Sequence, residues 1–248
     1  NNLIIKKKVL FISYDGLLDQ LGASQILPYL EGLASKVDKM HVISFEKKKK
    51  INKRSLELNQ RLENKGIRWH PLIFSSKYGV LGKVFDAIKM QCFSFYLSWK
   101  NSIDIVHCRS HLPAITGSVI KLIFGPKLLF DFRGLWVDER IDKGGWNMEF
   151  FFHRMQYKFF KIIERFLISG ADHIVVLTEK VIREVKLLGK KNIEEISVIP
   201  CCADYSHFKI FDDCSSLKKD LDIPEHSTVI GYLGSVGNMY MIKEMLFF

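Results

Sequence analysis

Val9-Leu10-Phe11-Ile12-Ser13-Tyr14 (VLFISY) is a continuous apolar run of strand length, broken at once by Asp15-Gly16, and beyond that loop Ile26, Leu30, Leu33 and Ala34 recur at helical spacing. A strand that is apolar at successive positions is buried on both faces, and the helix after it supplies one cover. The same unit repeats along the chain. Residues 41–45, 67–73, 103–107, 127–131, 174–177 and 196–199 read as strands, and helical patterns occupy 55–65, 81–99, 113–124, 147–169 and 180–188. Short apolar strands alternating with helices give the α/β class with a parallel sheet covered on both faces. Ligands of such sheets bind beyond the carboxyl ends of the strands, which directs attention to the residues after Tyr14, His107, Asp131, Leu177 and Ile199.

Working outward, residues 1–207 form the expected first domain. Residues 208–227 turn polar and punctuated and read as a linker, and a fresh strand at 229–233 followed by a helix from 242 reads as the truncated start of a second α/β domain over 228–248. The chain is therefore expected to be part of a longer protein. Its 248 residues, 48% hydrophobic and 26% charged, suffice for a sizeable core and exclude disordered and collagen-like classes. Cys92, Cys108, Cys201, Cys202 and Cys214 are odd in number and lack CxxC spacing, so neither a disulfide framework nor a zinc site is indicated. Lys100, Lys121 and Lys127 interrupt the richest apolar stretches, which excludes a membrane-spanning helix of about 18 residues. No export signal is legible at the amino terminus, because Lys6-Lys7-Lys8 follow the short apolar run instead of preceding a long one. A cytoplasmic location is expected, with peripheral attachment to the inner face of the plasma membrane as its variant.

The net charge is +10 and unevenly spread. Lys47-Lys48-Lys49-Lys50, Lys53, Arg54, Arg61, Lys65 and Arg68 face only Glu57 and Glu63, a field that attracts polyanions, although a solvated loop and helix face explains it as well. In 147–169, Arg154, Lys158, Lys161 and Arg165 recur beside the stripe Met155, Phe159, Ile162 and Phe166. The favoured reading is a core helix with its stripe inward and a cationic face outward. A membrane-surface helix is the second reading, strengthened by Phe150-Phe151-Phe152.

Four strand ends carry candidate chemistry. Gly22 and Ala23 precede a helix, where small residues let backbone amides approach a phosphate or sugar, and the competing reading is a tight loop with Ser24 as N-cap. His107 would carry a proton or hydrogen-bond a sugar, and Arg109 would clamp an anion. Asp131, Arg133, Trp136 and Glu139 offer carboxylates and a ring suited to gripping a sugar, unless Asp131 and Arg133 simply pair with each other. Gly234-Ser235 again follows a strand and precedes a helix, in outline a phosphate loop.

Taken in order, Tyr14-Asp15-Gly16 through Gly22-Ala23-Ser24-Gln25, Asp104-Ile105-Val106-His107-Cys108-Arg109, Asp131-Phe132-Arg133-Gly134-Leu135-Trp136, Ala171-Asp172-His173, Val198-Ile199-Pro200 and Tyr232-Leu233-Gly234-Ser235 resemble the retaining GT-B-type glycosyltransferases of the family-4 kind. The resemblance implies a Rossmann-like doubly wound parallel sheet in an acceptor-binding amino-terminal domain, a donor-binding carboxy-terminal domain, and metal-independent transfer from a nucleotide sugar with retention. It implies no cofactor. By the same resemblance Gly22 lies near the donor diphosphate, and His107 and Arg109 are the catalytic candidates lining the cleft. Asp131 and Arg133 belong to the acceptor side, and Gly234 and Ser235 begin the donor diphosphate site. Pro200-Cys201-Cys202-Ala203-Asp204 departs from the family's Pro-Asn-Gly-Val-Asp. The implied partners are a nucleotide-sugar donor and a saccharide or lipid-linked acceptor in cell-surface glycan synthesis. An anionic membrane surface is a further candidate, and nucleic acid is not, since no reading motif accompanies the charge. Two rivals stand beside this: another nucleotide-sugar enzyme such as an epimerase, and a non-catalytic basic module for membrane surfaces or polyanions.

Overall fold

A computed structural model describes residues 5–51, 53–75, 79–202, 215–234 and 241–247. Seven strands, β1 (Ile5–Ser13), β2 (Val37–Glu46), β3 (Ile67–Ile73), β4 (Ile105–Arg109), β5 (Lys127–Phe132), β6 (His173–Val176) and β7 (Ile196–Val198), form one sheet in the order β3-β2-β1-β4-β5-β6-β7. Every neighbouring pair is parallel. Parallel neighbours need crossovers, and helices supply them: α1 (Leu27–Ala34), α2 (Lys53–Glu63), α3 (Gly79–Asn101), α4 (His111–Phe124), α5 (Trp136–Asp142), α6 (Phe151–Gly170) and α7 (Lys180–Gly189). Two short helices, α8 (Ser215–Asp220) and α9 (Ile242–Leu246), lie beyond the last strand. This is the doubly wound, Rossmann-like α/β sheet that the motifs implied.

Side-chain alternation sorts the core into two layers. Leu10, Ile12, Val106, Cys108, Phe130, Ile174 and Val176 pack with residues of α3, α4, α6 and α7, whereas Phe11, Met40, Val42, Ile67 and Trp69 pack with residues of α1 and α2. On this second face, α1 and α2 cover β1 to β3. Over β4 to β7 the same face lines a pocket. The strand order reverses between β1 and β4, and the crevice at their carboxyl ends is the switch point where such sheets bind ligands.

Four readings of the sequence change. β4 runs two residues further than expected and includes Arg109, because its ladder continues along both β1 and β5. Residues 136–142 form α5, which charge-rich sequence concealed. Residues 229–233 form no strand and are exposed, Ile230 by 89% and Leu233 by 100%; a strand owes its stability to a ladder, and among the described residues none pairs with it. The fourth change concerns α6. Its stripe faces outward, with Phe159 58%, Ile162 68% and Phe166 65% exposed, while Glu164 is fully buried. The inner face is fixed by polar bonds as well as by Leu167 and Ile168: Lys161 bonds Asp138 on α5 (2.8 Å) and Glu164 (2.6 Å), and Glu164 meets His111 at the start of α4 (3.0 Å).

The basic stretch at 47–68 is partly consumed by structure. Lys47 and Lys50 hold Asp19 at 3.2 and 2.6 Å, and Arg61 and Lys65 hold Glu31 at 2.6 and 2.9 Å. Among the described residues no helix is long and apolar enough to cross a membrane.

Candidate active site

Register builds the site. Ser13 lies beside Arg109, and Arg109 beside Asp131, so a cation and a carboxylate leave adjacent strands at the same height at the switch point. The Arg109 side chain is only 5% exposed. Its Nε donates to Asp15 Oδ2 (3.4 Å), Nη1 to Asp131 Oδ2 (3.3 Å) and Nη2 to Gln25 Oε1 (3.2 Å). Arg133 Nη2 donates to the same Gln25 oxygen at 3.0 Å, and its Nη1 stands 3.6 Å from Asp131 Oδ1. The expected pairing of Asp131 with Arg133 therefore exists, but as the weaker half of a network. Arg109 ties the ends of β1, β4 and β5 to the turn before α1, which makes it a strut more than a free anion clamp. Arg133, 21% exposed, is the more accessible guanidinium.

The turn after Arg109 is strained. Ser110 has φ 72° and ψ 175°, a region that only glycine enters freely, and its amide donates to the Asp131 carbonyl at 2.9 Å. That bond aims the chain from β4 into α4 and places His111 over the aromatic rings of Phe130 and Phe132.

His107 lies one strand repeat below Arg109 on the same face, edge-on to Phe11 at 4.8 Å between ring centroids. Burial lowers its pKa to about 4; the Asp131 charge opposes that shift and the Arg109 charge adds to it. The ring is neutral at neutral pH, which suits a hydrogen bond to a hydroxyl better than proton carriage. Its Nε2 and Asp131 Oδ1 are buried without a hydrogen-bond partner among the described residues. Both residues line one pocket of about 410 Å³, walled by Phe11, Ile26, Leu30, Ile105, Leu129 and Val175. The Tyr29 hydroxyl on α1 donates to the Pro200 carbonyl at 3.1 Å, joining α1 to the segment after β7.

The loop between β1 and α1 is held from beneath by Glu46. Its carboxylate accepts from the Leu17 and Leu18 amides (2.7 and 3.2 Å) and from the Ser44 hydroxyl (2.7 Å). Burial nevertheless pushes the Glu46 carboxyl upward, against the pull of those bonds. Gly22 is buried, and a Cβ there would collide with the Gly16 carbonyl, so packing within the loop already requires glycine. Gly22 opens a π-helical turn, Gly22–Ile26, in which Ala23 is exposed. Ser24 does not cap a helix; its hydroxyl donates back to the Gln20 carbonyl at 2.8 Å.

The remaining candidates lie apart from the pocket wall. Trp136 packs on Phe160 (5.3 Å) and Trp146 (6.2 Å), and Glu139 bonds Lys143 (2.7 Å). Gly234 sits in an exposed bend, and Ser235 lies outside the described residues. Asp15, Gln25, Tyr29 and Glu46 were not singled out by sequence reasoning. Gln25 stands within the motif after β1, but only its bonds to two arginines reveal its part. No group of His, Cys, Asp and Glu among the described residues is arranged to hold a metal.

Comparison with solved structures gives the same architecture. Similar folds include sucrose-phosphate synthase from Thermosynechococcus elongatus (16% identity, TM-score 0.58, covering 88% of this chain and 53% of that one). They also include a glycosyltransferase from Rickettsia africae ESF-5 (16%, 0.54, covering 89% and 51%). A third is Anabaena Alr3699/HepE, solved in complex with UDP and glucose (14%, 0.51, covering 87% and 50%). The chain thus spans about half the length of these proteins. No curated protein sequence matches it. The sequence profile of Glycosyltransferase Family 4 matches residues 30–207, which is most of the chain and runs from α1 through the whole sheet beyond β1. This protein belongs to Glycosyltransferase Family 4.

Proposed function

We propose that the complete protein transfers a sugar from a nucleotide-sugar donor to a saccharide or lipid-linked acceptor in cell-surface glycan synthesis, with retention, and that this chain supplies the acceptor half of the cleft. The observation that carries the acceptor assignment is a pair of buried polar atoms in the wall of one pocket that accept or donate no hydrogen bond among the described residues, Asp131 Oδ1, which has only the Arg133 guanidinium 3.6 Å away, and His107 Nε2. Buried polar groups are nearly always bonded, so two such atoms facing one cavity mark a place for a hydroxyl-bearing ligand. A carboxylate oxygen accepts from a sugar hydroxyl, and a neutral imidazole donates or accepts according to its tautomer. The apolar walls suit the ring faces of a saccharide or a lipid segment next to it. Arg133, which lines the same pocket and is its more accessible guanidinium, would supply the fixed positive partner that charge developing on a diphosphate leaving group needs. The HepE complex with UDP and glucose supports a nucleotide sugar as the donor class.

The test is transfer from radiolabelled nucleotide sugars by the complete protein, with Asp131→Asn beside it. Loss of a hydroxyl contact to a charged group predicts a fall in kcat/KM for the acceptor of about 100-fold, with donor KM unchanged. Turnover of the donor sugar without any acceptor would instead support an epimerase. An unaltered Asp131→Asn enzyme would remove the acceptor assignment.

A further inference from the structure

We propose that the outer surface of α3, α4 and α6 docks on an anionic lipid bilayer. These helices lie side by side on one face of the sheet, α3 against α4 and α4 against α6. Each turns an apolar stripe to solvent. On α6 it runs Phe151, Met155, Phe159, Ile162 and Phe166; on α4 Leu122 is 86% exposed; on α3 Leu81 and Trp99 are 76% and 68% exposed. Rings from neighbouring helices continue the surface, Phe95 lying 4.6 Å from Phe124. An exposed apolar area of this extent marks a surface that meets another phase or molecule.

Charge selects the occupant. The three helices contain two acidic residues, Asp86 and Glu164, and these are 2% and 0% exposed. Lys83, Lys100, Arg154, Lys158 and Arg165 are exposed on the same helices. An apolar surface edged by cations and free of exposed carboxylates complements acyl chains beneath anionic headgroups. A second copy of the chain would bring cations against cations. The inward polar bonds of α6 explain why its stripe is free: Lys161 and Glu164 are spent on Asp138 and His111. His111 begins α4, two residues after Arg109, so docking would hold the candidate active site near the bilayer. The proposal itself does not depend on the transfer reaction.

The test uses the 248-residue chain and two vesicle preparations, phosphatidylcholine alone and phosphatidylcholine with 30% phosphatidylglycerol as a chosen composition of roughly physiological charge. Flotation with the anionic vesicles is expected, with Trp99 emission shifting to the blue and Trp99→Phe abolishing most of that shift. Phe159→Ser with Ile162→Ser, and separately Arg154→Gln with Lys158→Gln and Arg165→Gln, should each weaken partitioning about tenfold or more. All these side chains are exposed, so circular dichroism and Tm should stay at the unsubstituted values. High salt should weaken the unsubstituted chain. Failure to float with anionic vesicles would overturn the proposal. So would equal partitioning of the serine variant, or a concentration-dependent dimer abolished by the same serines.

Discussion

His107 shows how one partly buried ring links chemistry to stability. Its folded pKa of about 4 lies below the ordinary histidine value near 6.5, so between these pH values the unfolded chain binds a proton that the folded chain refuses. The stability associated with this group is complete above about pH 6.5 and is lost as pH falls through 4. The loss reaches about 2 kcal/mol by pH 5. Urea unfolding at pH 7.5 and pH 5 should therefore show a smaller pH dependence for His107→Gln than for the unsubstituted chain by about that amount; equal pH dependence would mean that the ring is hydrated. Ser110 offers a second case. Ser110→Gly relieves a backbone conformation that an L side chain resists, and should raise stability by up to about 1 kcal/mol, measured by the same unfolding. A stability loss would show that the serine side chain contributes more than its strain removes.

Elements were more legible than contacts. The apolar runs gave β1 to β7 within a few residues, because burial on both faces leaves no polar positions to blur a short parallel strand. The direction of α6 was not legible. Its sequence carries a cationic row beside an apolar row, and which one turns inward depends on whether Asp138 and His111 are placed to bond Lys161 and Glu164, a matter of α4 and α5. Glu46 illustrates the same limit: it ends β2 as one more acidic residue, and only the fold puts two loop amides above it. Glu46→Ala leaves the Leu17 and Leu18 amides buried and unpaired, at a cost of about 1–3 kcal/mol. Hydrogen exchange should then quicken at those amides well before it quickens in β1. Unchanged protection would show that Gly16–Gly22 packing alone holds the loop.

Across the whole molecule, hydrophobic content and hydrophobic burial come apart. The chain has 19 Phe, and they serve two different ends. Phe130 is fully buried in the central strand layer, while Phe159 is 58% exposed on the outer face of α6. Truncating a buried ring removes its transfer free energy and leaves a cavity, so Phe130→Ala should cost about 3–5 kcal/mol. Truncating the exposed ring changes little in the isolated chain, and Phe159→Ala should stay within about 0.5 kcal/mol. Thermal unfolding of the two variants at low protein concentration measures the contrast directly. A cost at Phe159 approaching that at Phe130 would mean that the α6 stripe is already covered within the folded chain, and the outer face of α3, α4 and α6 would then be unavailable to any partner. A wide gap shows that its apolar surface contributes almost nothing to the folding of this chain and stays available for the bilayer contact proposed above.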